Sequence, residues 1–184
     1  MAVERVERLL QDLTDALNAA GIPYAIIGGN AVAAWVSTVD EAATRSTKDV
    51  DVLVRRDDLP RVTEALRPVD LTPVEVLGVT MFLTWENPNP KTGVNVVFAG
   101  ERVRPEHTHA APDTSDSVES DAGFKVVALR YLVQMKLQAY RFIDRAHVQD
   151  LLDVGLIDQR IRGALPDDLR RRLEAVEACN DSQV

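Results

Sequence analysis

Two aspartates, Asp49 and Asp51, are separated by one valine in the segment Asp49-Val50-Asp51-Val52-Leu53-Val54. In an extended strand alternate side chains share a face, so Asp49, Asp51 and Leu53 point one way and the valines the other. Two carboxylates side by side repel each other and resist burial. A divalent cation between them removes that conflict, and Mg²⁺ combines one or two carboxylates with substrate phosphates. An edge strand with two solvated acids is the plain alternative for an Asp-x-Asp on its own. The upstream context favours the cation. Tyr24-Ala25-Ile26-Ile27 reads as a buried strand ending at Gly28-Gly29, and Asn30 is the expected N-cap of a helix over Ala31 to Val36. Free N–H groups at the positive end of a helix, beside a turn without side chains, suit a phosphate chain. The loop Thr44-Arg45-Ser46-Thr47-Lys48 that follows is rich in donors to phosphate oxygens.

The remaining elements must hold these residues together. Val3, Val6, Leu9, Leu10, Leu13 and Leu17 recur at helical spacing and Gly21 closes that helix. Asp57 or Asp58 caps a helix to about Leu66, with Pro68 beyond it. Strands are expected at Val74–Leu77 and Val79–Trp85. After the turn residues Asn87 to Gly93, a strand over Val94 to Ala99 should lie beside the aspartates. Residues 100–122 are polar and turn-rich, with His107 and His109 expected in solvent. From Phe124 an apolar stripe through Val126, Leu129, Leu132, Val133 and Leu137 reads as helix. Lys136 and Asp144 would share one face of it, and a lysine among those apolar residues needs an anionic partner. Asp144 is one candidate for that partner. His147 reads as structural. A short helix over Val148 to Val154 and a last one over about Pro166 to Cys179 complete the chain, and residues 180–184 are expected to be disordered.

The combination of Gly-Gly, a short helix, a basic Ser/Thr loop and Asp-x-Asp resembles the signature of the nucleotidyltransferase superfamily, of the DNA polymerase β type. Within it the chain is most similar to AbiEii-like toxins and small bacterial relatives. A second block, Lys136-Leu137-Gln138-Ala139, Arg141, Asp144-Arg145 and His147 to Leu152, resembles the helical pattern that follows the sheet in those proteins. The resemblance implies an α+β fold with an α/β-like core: a small mixed sheet flanked by helices, and a helical C-terminal segment. Residues 1–122 would form the nucleotidyltransferase-like core and 123–179 the helical segment packed on it, as one compact domain.

The resemblance further implies Mg²⁺ or Mn²⁺ on Asp49 and Asp51. It places a nucleoside triphosphate on Gly28, Gly29, Asn30, Arg45, Ser46, Lys48 and Lys136. The acceptor hydroxyl could belong to an RNA, a protein or a small molecule, and an antitoxin is an expected partner. One position departs from the pattern. Active members carry a third carboxylate on the returning strand, where this chain has Val94-Asn95-Val96. Asn95 can neither carry charge nor accept a proton as a general base. Three explanations stand: a catalytically impaired binding module, substitution by Glu86 or Glu101, or an acceptor activated by other means.

Composition sets the outer limits. The 184 residues are 46% apolar, enough for one core, and contain no run of about 18 apolar residues that would span a membrane. The single cysteine, Cys179, excludes an internal disulfide and a cysteine-based zinc site, and a cytoplasmic protein is expected. A net charge of −8 argues against a broad nucleic-acid surface while leaving room for a local basic groove.

Overall fold

The computed structural model describes residues 2–86 and 88–181, with side chains from 4 to 179. The elements run α1 (Ala2–Ala19), β1 (Tyr24–Ile27), α2 (Gly28–Ser37), β2 (Val50–Val54), α3 (Leu59–Leu66), β3 (Leu71–Val76), β4 (Val79–Thr84), β5 (Val94–Phe98), β6 (Ser117–Glu119), β7 (Lys125–Val127), α4 (Leu129–Ala139), α5 (Phe142–Asp153), α6 (Gln159–Ala164) and α7 (Asp167–Asp181). The fold is α+β. Its strands form one mixed sheet in the order β3-β4-β5-β2-β1-β7-β6.

The centre of that sheet is built from short apolar runs. All four residues of β1 are buried, and so are all but Asp51 in β2. Strands covered on both faces carry no polar alternation, which is why β1 reads as a continuous apolar stretch. β2 runs antiparallel to β1 and parallel to β5, and the β2–β5 register puts Asp51 opposite Asn95. The polar residues of both central strands therefore meet at one level of the sheet.

Helices α1 and α3 pack together against β2 and β3, with Leu13, Leu17, Val62 and Leu66 fully buried. A second group, α2, α4, α5 and α7, meets the sheet through α2 on β1, β2 and β7. Burying a Leu or Val side chain contributes about 1.5–3 kcal/mol. The fully buried Leu132, Val133, Leu137, Val148, Leu151, Leu169 and Leu173 therefore fix this second group firmly.

Several boundaries differ from the expectation, each for a local reason. Residues 125–127 are not the start of a helix. They form β7, pairing in parallel with β1 and antiparallel with β6, so the 122/123 division cuts through the sheet. A run of apolar residues satisfies a buried strand as readily as a helix face. The long C-terminal helix is also broken: Tyr140 adopts φ 51° and separates α4 from α5. Between β3 and β4 the turn is Leu77-Gly78, both at positive φ, and Leu77 is fully exposed. Two successive positive-φ residues match the twist of a two-residue hairpin. Asn180 and Asp181 continue α7, whereas 182–184 of the expected disordered tail lie outside the described residues. No helix among the described residues is long and apolar enough to cross a membrane.

Candidate active site

Chain direction through β1 and β2 creates the site. β1 delivers the chain to Gly28, which holds φ +68°, and α2 starts there at once. A Cβ added at Gly28 would overlap the Asp51 carboxylate, and one at Gly29 would press on the Thr47 side chain. Both glycines are thus required by close approach, and Gly28 also by its left-handed backbone. The N-cap of α2 is Ile27, which offers no side-chain acceptor, so the first amides of the helix have no side-chain cap.

Asn30 corrects the expected capping role. It lies inside α2, where its Nδ2 donates to the Asp49 carbonyl at 2.9 Å and its Oδ1 accepts from Thr47 Oγ1 at 3.2 Å. Thr47 Oγ1 also lies 3.1 Å from that same carbonyl. Asn30 is therefore a clamp that holds the approach to β2 against α2.

The carboxylates share a single donor. Asn95 Nδ2 donates to Asp49 Oδ2 at 3.1 Å and to Asp51 Oδ1 at 2.9 Å. Burial, then the neighbouring Asp49 charge, pushes the Asp51 carboxyl above its ordinary pKa; the Asn95 hydrogen bond and the Lys136 and Arg141 charges only partly offset this. Electrostatic strain between two half-buried acids is relieved by a cation. The donor set fits Mg²⁺ or Mn²⁺ on Asp49 and Asp51 completed by substrate oxygens. Among the described residues no group of three or more His, Cys, Asp or Glu side chains is arranged to hold a metal by itself.

Lys136 and Asp144 form the opposite wall. Lys136 Nζ donates to Asp144 Oδ1 at 3.1 Å, with both side chains buried, and Arg141 Nε donates to Asp144 Oδ2 at 2.6 Å. The pair joins two helices across the Tyr140 break rather than lying along one helix. Burial pushes the Asp144 carboxyl up, but the bonds from Arg141 and the Lys136 charge outweigh it and hold the pKa below the ordinary value.

One cavity of about 820 Å³ gathers most of these residues. Gly28, Gly29, Ser46, Lys48, Asp49, Asp51, Asn95 and Lys136 line it. Asn30 stands behind this wall. Arg45 points elsewhere: it is exposed and donates to Asp150 at 2.6 Å. Glu101 borders the cavity but is held at 2.6 Å by Arg56, and Glu86 is exposed and outside the lining.

The sequence leaves Arg141 between phosphate and solvent, offers Asp144 only as a partner for Lys136, and reads His147 as structural. Arg141, Asp144 and His147 all line the cavity, and His107, expected in solvent, is buried there as well. His109 is not free in solvent either, lying 3.1 Å from Asp168. Helical spacing does show that Asp144 and His147 are neighbours. It does not show that the break at Tyr140 turns them toward the sheet.

The fold has counterparts among solved structures. An antigenic nucleotidyltransferase-like protein from Paracoccidioides brasiliensis superposes with a TM-score of 0.59 at 15% identity, over 98% of this chain and 91% of that one. The antibiotic-resistance factor ANT(2'')-Ia superposes with a TM-score of 0.54 at 14% identity, over 100% of this chain and 94% of that one. At such identities the likeness establishes the fold. Among curated proteins, no sequence matches this chain. The profile described as nucleotidyl transferase AbiEii toxin, type IV toxin–antitoxin system, matches residues 8–182. With nearly the whole chain matched, and the glycine turn facing the paired aspartates inside it, this protein belongs to the AbiEii nucleotidyltransferase toxin family.

Proposed function

We propose that this protein transfers a nucleoside monophosphate from a nucleoside triphosphate to a hydroxyl acceptor, with Mg²⁺ or Mn²⁺ as the required ion. The observation that carries this reading is the shared cavity. It brings the uncapped start of α2, the two aspartates and Lys136 to one space of about 820 Å³, large enough for a nucleotide. Membership of a toxin family implies an antitoxin partner, and the cytoplasm is the compartment we assign.

Asp49 and Asp51 would hold the ion, which when bound polarises a phosphoryl oxygen and offsets its charge. The backbone amides at Gly28 and Gly29 bind phosphate oxygens at the positive end of α2. Asn30 fixes the Asp49 backbone so that both carboxylates keep their spacing. Ser46, Lys48, Lys136 and Arg141 compensate charge on the departing pyrophosphate. The acceptor oxygen forms a bond to the α-phosphorus, the bond to the bridging oxygen breaks, and pyrophosphate leaves with that electron pair. The hydroxyl proton goes to solvent or to an acceptor other than Asn95, since an amide takes none. Glu101 is a weak candidate because its bonds to Arg56 lower its pKa. An RNA end, a protein side chain or a small alcohol fits the requirement for a hydroxyl.

A second reading is favoured by Asn95 itself. Its amide bridges the two carboxylates where the superfamily pattern has a third acid, which suits a module that binds nucleotide and transfers it poorly. Titration of ATP, CTP, GTP and UTP with Mg²⁺ tests both readings, with Asp49→Ala and Asp51→Ala as controls that abolish binding. Labelled nucleotide incubated with bulk RNA or lysate then separates them. Transfer by the wild type supports the enzyme, and transfer only by Asn95→Asp supports the impaired module. Failure of every nucleotide to bind with either metal overturns both.

A further inference from the structure

His147 lies on the second turn of α5, is 6% exposed, and leaves its Nδ1 without a hydrogen-bond partner. With Nδ1 closed to any ligand, Nε2 is the ring nitrogen open to a partner from the cavity. Its ring borders the cavity together with Gly28, Gly29, Ser46 and Lys136. A Cβ built on Gly29 would sit 3.6 Å from its Cε1, ordinary contact distance. The imidazole therefore packs against the glycine turn that lines the cavity and opens α2 without a side-chain cap. Burial, and then the Lys136 charge, push its pKa down to about 4. Near neutral pH the ring is uncharged, with one N–H to donate and one lone pair.

The surroundings define what such a ring can add. Lys136 is already engaged by Asp144 and Arg45 by Asp150, so the positive charges nearest His147 have carboxylate partners. A neutral donor supplies a directional bond without another buried charge.

We propose that His147 donates its Nε2–H to a non-bridging oxygen of the β- or γ-phosphate of a bound nucleoside triphosphate. This assignment rests on the nucleotidyltransferase reading and makes His147 a positioning residue that sets the triphosphate in register with Asp49 and Asp51.

The test is calorimetric titration of the four nucleoside triphosphates with Mg²⁺ into the wild type, His147→Phe, His147→Asn and Asp49→Ala, with the imidazole ¹⁵N resonances followed in the wild type. His147→Phe keeps the ring shape and removes the donor, and should weaken binding by about ten- to a hundredfold, the scale of a hydrogen bond to a charged group. His147→Asn restores an N–H and should recover part of that loss. Saturating nucleotide should move the wild-type ring nitrogens. The assignment is overturned if His147→Phe binds within about twofold of wild type while Asp49→Ala does not bind, a result that leaves the nucleotidyltransferase reading intact. Unmoved ring nitrogens at saturation overturn it too, and that spectrum decides the matter alone if the Phe variant does not fold. A wild type that binds no triphosphate removes the broader reading along with this one.

Discussion

The Asn95 amide nitrogen stands 3.1 Å from Asp49 Oδ2 and 2.9 Å from Asp51 Oδ1, so one neutral side chain tethers both acids of the site. Replacing it by aspartate removes two hydrogen bonds and adds a third negative charge. Asn95→Asp should therefore lose about 1–3 kcal/mol of stability without metal. Added Mn²⁺ should restore more stability to this variant than to the wild type. Thermal unfolding with and without Mn²⁺ measures both; an Asp variant as stable as wild type and indifferent to Mn²⁺ would show that no cation binds there.

Asp51 predicts an unusual pH response. Its folded pKa is raised, by burial first and by Asp49 second, above an unfolded value near 3.8. The sign follows from linkage. The protonated form is favoured in the folded state, so this contribution to stability is full below the unfolded value and is lost as pH rises through the folded pKa. Asp51→Asn should then unfold at a higher temperature than wild type at pH 7 and lose that advantage toward pH 3.5, a value of about the unfolded carboxyl. Denaturant titrations across this range check it. A variant less stable than wild type at pH 7 contradicts the assigned cause.

The buried Lys136–Asp144 pair responds the other way. Asp144 has a lowered pKa, so its contribution is present above the unfolded value and lost as pH falls through the folded one. Asp144→Ala leaves Lys136 enclosed without its carboxylate and should cost about 3–5 kcal/mol. The double change Lys136→Met with Asp144→Leu should recover most of that stability while still failing to bind triphosphate. By contrast Arg45→Ala breaks an exposed pair, and should change stability by less than about 1 kcal/mol and leave nucleotide affinity unaltered.

Gly28 admits no side chain. With φ +68° and Asp51 in the space of a Cβ, Gly28→Ala combines backbone strain of about 1–2 kcal/mol with displacement of the carboxylate. Lowered stability together with loss of nucleotide binding is expected. Wild-type affinity in a folded Gly28→Ala variant would mean that Asp51 is not needed at its observed position.

The strand–turn–helix–strand order of residues 24–54 is readable in sequence because each signal there is local: a four-residue apolar run, two glycines, alternating aspartates. Alternation gives the face on which Asn95 lies, while its place beside the aspartates is what the family resemblance implies and the β2–β5 register then shows. Asn30 was legible as a residue that matters and misleading in its role. Capping preference is a property of the helix end, while its actual partner, the Asp49 carbonyl, comes from 19 residues away. Lys136 was readable as a lysine in need of an anion, but the choice of Asp144 depended on a left-handed Tyr140 that no periodicity announces. His107, His109 and Arg45 went astray for one reason. Their partners or covers are contributed by α4, α5 and α7, which only the packed fold brings near.

Binding of Mg²⁺ and nucleoside triphosphate by the wild type, Asp49→Ala and Asp51→Ala, read by calorimetry, tests the shared cavity most directly. Saturable binding to the wild type with at least one of ATP, CTP, GTP or UTP, abolished in both variants and absent without the metal, is the predicted result. Equal binding in all three proteins, or none in the wild type with Mg²⁺ or Mn²⁺, would contradict the account.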